Sequence, residues 1–454
     1  MSAPLEFTVF DSLRAEDEPW LTDCFVPPPD FDLMAGGRSA IILGDEGAGK
    51  SAVAAALRQQ AQGRYLVAAW QPTPSIDAPP PWRDARSQVE QVLGAVAWAL
   101  LEWLGEDPSR YHQAAGWARR TFHWVTRYAL LDAAADRGLL PLEEASPAAQ
   151  SLITEFLQRQ APQIASLPTP PVEVIRLLLR ALRSVGLQGI WIVADGLGAH
   201  LAAAPEEVER SLRAFLATLP TFEQAGCIYK LMVPSELSDV VVESDAAWRA
   251  RVDPFRLQWL PEPEKPDQEP PTDSLRALVE RRLALALGRA RASLHDLCDA
   301  EGFERWLYRV GGGSPRGWLS ALRPLAAAYF GRPANERRPL AAEEWRAIRH
   351  RHPPSARLLP ETRSLQVGGR IVEGFGESEW RILQILYERR GQLVTREEIY
   401  RALFPRNLEL GSLNLMRSVV DTALWRLRKA IEPVPQEPTL ILTQRDQGVR
   451  LRIL

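Results

Sequence analysis

The chain is short of the residues that staple, ligate or anchor a protein: 3 cysteines, 6 histidines and 4 methionines in 454 residues. Cys24, Cys227 and Cys298 are far apart and none belongs to a C-x-x-C pair. A disulfide framework and a cysteine zinc site are both out of reach, and a reducing compartment fits. His112 and His123 fall in neither H-x-x-x-H nor H-E-x-x-H spacing, which leaves them as packing or surface residues. No run approaches about 18 apolar residues, and the start Met1-Ser2-Ala3-Pro4-Leu5-Glu6 has no basic or apolar leader region, so membrane spanning and secretion are not expected and a cytoplasmic location is. Charge of one sign is also missing: 54 Lys and Arg against 57 Asp and Glu leave a formal −3, so a nucleic-acid surface has to be a local patch. What is plentiful is ordinary for a globular chain, 46% hydrophobic residues, and the 15 tryptophans fall mostly at helical spacing where helix packing explains them. The length allows two to four domains.

The most specific stretch is Ile41-Ile42-Leu43 followed by Gly44-Asp45-Glu46-Gly47-Ala48-Gly49-Lys50-Ser51, which reads G-x-x-x-x-G-K-[ST] without a departure. An apolar strand precedes it and a strong helix former, Ser51 to Arg58, follows. In that setting the glycines let backbone N–H groups turn around a β-phosphate and the helix dipole adds to the same anion. Lys50 would reach the β- and γ-phosphates and the Ser51 hydroxyl would ligate Mg2+.

Ahead of this motif, Phe25-Val26-Pro27-Pro28-Pro29 is a stiff lead-in, and two roles fit Phe25 and Val26: lying over a nucleotide base, or packing as an N-terminal arm. After it, Tyr65 to Trp70 reads as a buried strand closed by the proline-rich turns of residues 71–81. Arg86 to Gln160 turns helical, with Val89, Val92, Leu93, Val96 and Leu100 at helical spacing, and is expected to be an added helical lobe. Gly189 to Asp195 is an apolar run ending in a carboxylate, expected on a strand adjacent to the first so that Asp195 reaches the Mg2+ held by Ser51. The next five residues, Gly196 to His200, hold no acid to polarise an attacking water. Cys227 to Glu236 is a fourth strand whose polar tail either senses a γ-phosphate or caps the strand; Phe255 to Leu260 is a short fifth, and Pro261 to Pro271 a solvated linker.

Ser274 to Leu287 and Leu294 to Val310 read as helices of a lid. Gly311-Gly312-Gly313-Ser314-Pro315-Arg316-Gly317 then sets an arginine at the positive end of a helix, where it does not help the helix; aiming at a phosphate accounts for it. Together these features make residues 7 to 330 resemble the ATPases of the AAA+ and STAND superclass, with Walker A at Gly44 to Ser51, Walker B at Asp195, and Gly313 to Arg316 similar to the sensor 2 region. The resemblance implies ATP and Mg2+ as cofactors, with Gly44, Glu46, Gly47, Ala48, Gly49, Lys50 and Ser51 around the nucleotide and Ser51 and Asp195 serving the metal. It also implies that Lys50, Asp195 and Arg316 act on the γ-phosphate. The chain departs from that family where an acid commonly accompanies Asp195, so hydrolysis is expected to be slow or partner-dependent. Glu46 and Glu236 are the nearest substitutes.

Gly331 to Pro354 reads as a basic, irregular linker. Residues 355 to 454 carry sixteen Lys and Arg against twelve Asp and Glu, a local excess of four. Short strand-like pieces at 364–367 and 370–372, helices at 377–390, 395–404 and 412–431, and a hairpin at 439–453 make a winged helix. Thr395-Arg396-Glu397-Glu398 is a capping box. Glu377 to Leu383, Gly391 to Glu397, Val420 to Lys429 and Thr443 to Leu451 are similar to the DNA-binding domain of OmpR/PhoB-type regulators. That similarity implies a third helix in the major groove, with Arg417, Arg426, Arg428, Lys429 and Arg445 touching DNA. Asp446 beside Arg445, Val449 in the wing, and Ala423 and Trp425 on the third helix depart from the pattern.

The expected architecture is an α/β P-loop NTPase core at 1–260 with a helical insertion at about 85–165, a helical lid at 272–330, a linker at 331–354 and a C-terminal α+β winged helix at 355–454. The expected function is an ATP-responsive DNA-binding protein, a transcriptional regulator in which ATP takes the place of a phosphorylation input. Double-stranded DNA is the expected partner, with a nucleotide-dependent homo-oligomer as a second expectation. A signalling or defence-type STAND ATPase that uses the winged helix for protein contact stays open.

Overall fold

The computed structural model describes residues 8–11, 15, 18–71, 85–131, 146–158, 170–201, 203–244, 251–260, 272–404, 413–445 and 447–453. The expectations for residues 72–81, for the linker 261–271 and for Asp446 lie outside them, as does the side chain of Arg417. The chain divides into two compact units, one of Pro27–Leu257 and one of Met1–Val26 with Gln258–Leu454. Among the described residues no helix is long and apolar enough to cross a membrane.

The first unit is built on a parallel five-stranded sheet of β1 (Ala40–Gly44), β2 (Tyr65–Trp70), β3 (Gly189–Ala194), β4 (Cys227–Pro234) and β5 (Asp253–Arg256), in the order β2-β3-β4-β1-β5. β3 is buried at every residue, as a near-continuous apolar run requires when helices cover both faces. The strand carrying Asp195 is expected next to β1, but β4 intervenes, pairing Lys230 to Pro234 with Ala40 to Gly44. β5 begins two residues before the expected stretch and ends four before its end, held to β1 alone.

α1 (Lys50–Ala61) follows β1. The expected helical insertion supplies α2 (Ala85–Glu106), α3 (Gly116–Thr126) and α4 (Pro147–Gln158), and α5 (Pro171–Ser184) and α6 (Pro205–Ala225) flank β3. The insertion is not a lobe with its own core: Val92, Leu100, Phe122 and Phe156 share one hydrophobic cluster with Ile41, Leu66 and Ile192. His123 is a packing residue there, its Nε2 2.8 Å from the Phe156 carbonyl oxygen and its ring stacked on Phe156. A feature without a sequence signal is the fully buried Lys230, which donates to the carbonyls of Gly36 (2.8 Å) and Arg38 (2.6 Å) over the face of Trp191 and so fixes the chain leading into β1. Burial pulls its pKa down to about 8.

In the second unit, Val9, Phe10 and Trp20 of the N-terminal arm pack with α7 (Asp273–Leu287), α8 (Phe303–Gly311) and α9 (Pro315–Phe330) in a separate core, against which Val26 also lies. The packed-arm role is therefore the one Val26 has. Glu18 and Arg282 clamp the arm with two hydrogen bonds of 3.0 and 2.6 Å, both side chains buried. The helix expected over Leu294–Val310 is broken: Ser293 caps a short turn at Leu294–Leu297, and Gly302 (φ 78°) precedes α8. The stretch expected to be irregular contains α10 (Ala342–Arg351), held because Trp345 and Arg349 are buried.

The remaining elements are β6 (Ala356–Leu359), β7 (Ser364–Val367), β8 (Arg370–Val372), α11 (Glu377–Glu388), α12 (Arg396–Leu403), α13 (Leu413–Ile431) and the hairpin β9 (Ile441–Gln444) and β10 (Gly448–Leu451), around a third core. This part is docked on the helices before it. The Gly369 N–H donates to the Val310 carbonyl at 2.8 Å, Arg346 and Arg349 both pair with Glu437, and Arg452 donates to the carbonyl of His350.

Candidate functional site

All five strands of the first sheet run parallel, so their carboxyl ends share one edge, the place where such sheets bind ligands. Gly44 ends β1 level with Pro234 of β4. Across the edge lie, in order, Asp195 after β3, Ser235 and Glu236 after β4, and the loop from β1 to α1. In that loop Gly47 (φ 78°) and Gly49 (φ 91°) take the left-handed backbone that lets consecutive N–H groups face inward. Gly44 is crowded: a Cβ there would meet Ala48 Cβ and Lys50 Cγ at 3.3 Å. Lys50 opens α1 and reaches back across the loop, donating to the carbonyls of Gly44 (2.6 Å) and Asp45 (2.9 Å), while Ser51 is half-buried one residue on.

The Asp195 carboxylate accepts from the Gly196 N–H at 2.8 Å, and its own N–H donates to the Trp70 carbonyl. Gly196 has φ 102°, so a side chain directly after Asp195 is strained although space exists beside Gln71. The two substitute carboxylates, Glu46 and Glu236, are both exposed at this edge. Sequence reasoning left the tail of β4 undecided. The structure singles out Ser235, whose buried hydroxyl has no hydrogen-bond partner among the described residues. Arg316, at the second position of α9, is half-buried in the other unit.

The glycines before Arg316 have a cause other than a phosphate. A Cβ on Gly317 would stand 2.4 Å from the Gly311 carbonyl oxygen, and one on Gly311 would meet Trp318 at 2.4 Å. A Cβ on Gly369 would meet the Gly311 carbonyl oxygen, and Gly312, at φ 57°, leaves only 2.6 Å to the Gly369 oxygen. Glycine is required there for two backbone segments, the start of α9 and the β7–β8 turn, to touch. Ser314 caps α9, accepting from the Gly317 N–H at 3.2 Å.

In the C-terminal part, α13 buries Val420, Ala423, Leu424, Leu427 and Ile431 and exposes Ser418, Asp421, Thr422, Trp425, Arg426 and Lys429. Ala423 is thus a core residue, not a departure on the DNA-facing side. Val449 is explained the same way: it is buried, and it exchanges both backbone hydrogen bonds with Val394, tying the wing to the turn before α12. Arg445 is exposed at the wing tip, and Arg426 is exposed with Glu379 only 3.8 Å away. Arg428, expected at the DNA, also has a role within the domain. It is half-buried and donates to the Ile441 carbonyl (3.0 Å) and the Thr443 hydroxyl (2.5 Å), which holds the hairpin to the helix; burial pulls its pKa below the usual value. Glu432 does the complementary work, accepting from the N–H groups of Thr439, Leu440 and Ile441, with burial raising its pKa.

Two further arginines stand on these elements. Arg396 at the start of α12 pairs with Asp421 of α13 at 2.9 Å, and Arg450 points outward on β10. The alternation of the hairpin carried the signal for Arg450; nothing local carried one for Arg396. The Thr395 capping box is present, with Glu398 accepting from the Thr395 N–H at 2.8 Å. That bond, with Arg389, holds the carboxyl down to about 2.

A small antiparallel sheet, three helices and a hairpin whose return strand pairs with the turn before the second helix define a winged helix. Residues 374–451 match the family described as "Transcriptional regulatory protein, C terminal". Among solved structures, the C-terminal DNA-binding domain of RstA protein from Klebsiella pneumoniae is similar at 28% identity, over 22% of this chain and 90% of that one, with a TM-score of 0.18. No curated protein matches the chain. The C-terminal domain is therefore an OmpR/PhoB-type winged-helix DNA-binding domain of a transcriptional regulator, and double-stranded DNA is its partner.

Proposed function

We propose that the protein is an ATP-responsive transcriptional regulator, in which nucleotide held at the carboxyl edge of the parallel sheet sets the availability of the winged helix for DNA. The residues at that edge fit a magnesium nucleotide. Two left-handed glycines and a helix start form an anion cradle, Lys50 lies across it, and the orphaned Ser235 hydroxyl follows directly on the end of the neighbouring strand. Ser51 and Asp195 would hold the metal, which would supply charge to the phosphates. Arg316 on the lid, residues 272–330, would read the γ-phosphate.

The observation that carries the reading is the backbone contact between the turn that presents Arg316 and the β7–β8 turn of the winged helix. Whatever moves the first turn is felt by the second without an intervening linker. Hydrolysis is not required for such a switch. With no side chain at Gly196 to orient water, turnover is expected well below 1 per second, against roughly 1–100 per second for kinase sites with every part in place. Phosphate release by dilute purified protein measures it, and fast turnover without DNA would refute the switch. The test of the function is a gel shift on mixed genomic DNA fragments with and without ATP and Mg2+. A response that Lys50→Ala abolishes supports the proposal, and binding indifferent to ATP sinks it.

A further inference from the structure

A cleft of about 850 Å3 opens in the second unit between α8, α10, the carboxyl-terminal half of α13 and the proline-rich loop of residues 433–438. Its size is within the range of about 300–1,000 Å3 typical of small-molecule sites. Its wall carries six cations, including Arg305, Arg346 and Lys429, against two carboxylates, an excess of four in a chain whose formal charge is −3. Glu437 is shared by Arg346 and Arg349, so one carboxylate answers two guanidinium groups.

The same wall holds three indoles. Trp425 is 60% exposed, with the Lys429 ammonium 5.5 Å from its ring. The Trp345 Nε1 and Arg349 Nε are both buried without a hydrogen-bond partner among the described residues. The exposed indole face of Trp425 and the surplus positive charge on one concave surface suit a ligand that has a planar ring and phosphate groups.

We propose that this cleft is an effector site for nucleoside phosphates, distinct from the sheet edge and independent of the ATP reading. Such a ligand would touch α8 and α10 on one side and the DNA-binding helix on the other, and would hold the winged helix against the helices that precede it. Trp425 would stack on the base, with Lys429 and Arg305 facing the phosphates.

The experiment is equilibrium dialysis of the adenosine, guanosine, cytidine and uridine 5′-diphosphates and of inorganic pyrophosphate against full-length Lys50→Ala protein. Saturable binding of at least one nucleotide, weakened tenfold or more by adding Trp425→Ala or Lys429→Ala, is the expected result. Both substitutions are at exposed positions, and folding is checked by thermal melting. The proposal is overturned if no nucleotide saturates, or if binding ignores both substitutions. It is also overturned if Trp425→Ala, without nucleotide, weakens DNA binding as much as Arg445→Ala, because the cleft would then belong to the DNA interface. Wild type and Lys50→Ala binding the same nucleotide at one site with equal affinity would sink the sheet-edge reading and leave this one standing.

Discussion

Two glycine-rich turns, one in each compact unit, look alike in sequence and exist for different physical reasons. In Gly44 to Ser51 the requirement is conformational: Gly47 and Gly49 have positive φ, and the loop closes around the space that Lys50 crosses. In Gly311 to Gly317 proximity dominates, because carbonyl oxygens of Gly311 and Gly369 stand where side chains would be, although Gly312 also has positive φ. The spacing of glycines says that a Cβ is unwelcome; only the neighbours say whether a ligand or another backbone is the cause. Arg316 has therefore to be argued on its own place at the start of α9, and the glycines before it speak for coupling to the winged helix instead.

The sharpest way to break this comparison is Lys50→Ala. Losing a charge-assisted contact to phosphate is worth up to about 3 kcal/mol, so ATP affinity should fall about 100-fold by dialysis while the melting temperature stays unchanged. Unchanged affinity would mean that the first turn, too, serves only the fold. Next is Gly369→Ala, which sets a methyl group against a carbonyl oxygen that cannot swing away. A cost of about 1–3 kcal/mol in denaturant unfolding is expected, with the ATP effect on DNA binding weakened. Gly374→Ala has positive φ and open space around it, and should cost only about 1 kcal/mol and leave the coupling intact. If the two variants behave alike, crowding is not what the second turn is for.

Arg445→Ala should flatten the salt dependence of DNA binding by a slope of about one, whereas Arg428→Ala should lower stability by about 1–2 kcal/mol and leave the slope nearly unchanged. A slope change confined to Arg428→Ala would reverse the two assignments. The smallest effect concerns Lys230. Its folded pKa is pulled from 10.5 to about 8, so its contribution to stability is full above about 10.5 and is lost as pH falls through about 8. Wild type should therefore gain in melting temperature on Lys230→Met between pH 7.5 and pH 9.5. A constant difference would show that the buried ammonium is not desolvated as its surroundings indicate.

Much of this was legible beforehand for reasons that can be named. β3 is covered on both faces and β2 is an edge strand with one face partly open, and the uninterrupted apolar run of each marks it; the Thr395 capping box marks the start of α12 to the residue. β5 was misplaced because an edge strand of four residues with Pro254 in it has one neighbour and little pattern of its own. The stretch of α10 reads as linker because its buried face includes an arginine, and Arg349 becomes a core residue only through Trp345 beneath it and Glu437 across from it. For Arg428, helical position alone does not reveal that the guanidinium is engaged by the Ile441 carbonyl, thirteen residues on. The polar tail after β4 points to Ser235 and Glu236 without choosing between them, and Lys230 has no sequence signal, because an orphaned hydroxyl and a buried ammonium are properties of neighbours.

If nucleotide and DNA bind to a coupled system, linkage makes the coupling measurable from either end. Coupling free energies of about 1–3 kcal/mol correspond to roughly 5–150-fold changes in affinity, and they must be equal in both directions. The direct measurement is the ATP affinity of the full-length protein with and without saturating DNA, set beside its DNA affinity with and without saturating ATP and Mg2+. The expected result is the same factor, at least about fivefold, from both titrations, reduced toward one in Gly369→Ala. ATP that binds tightly yet with equal affinity in the presence and absence of DNA would contradict the account.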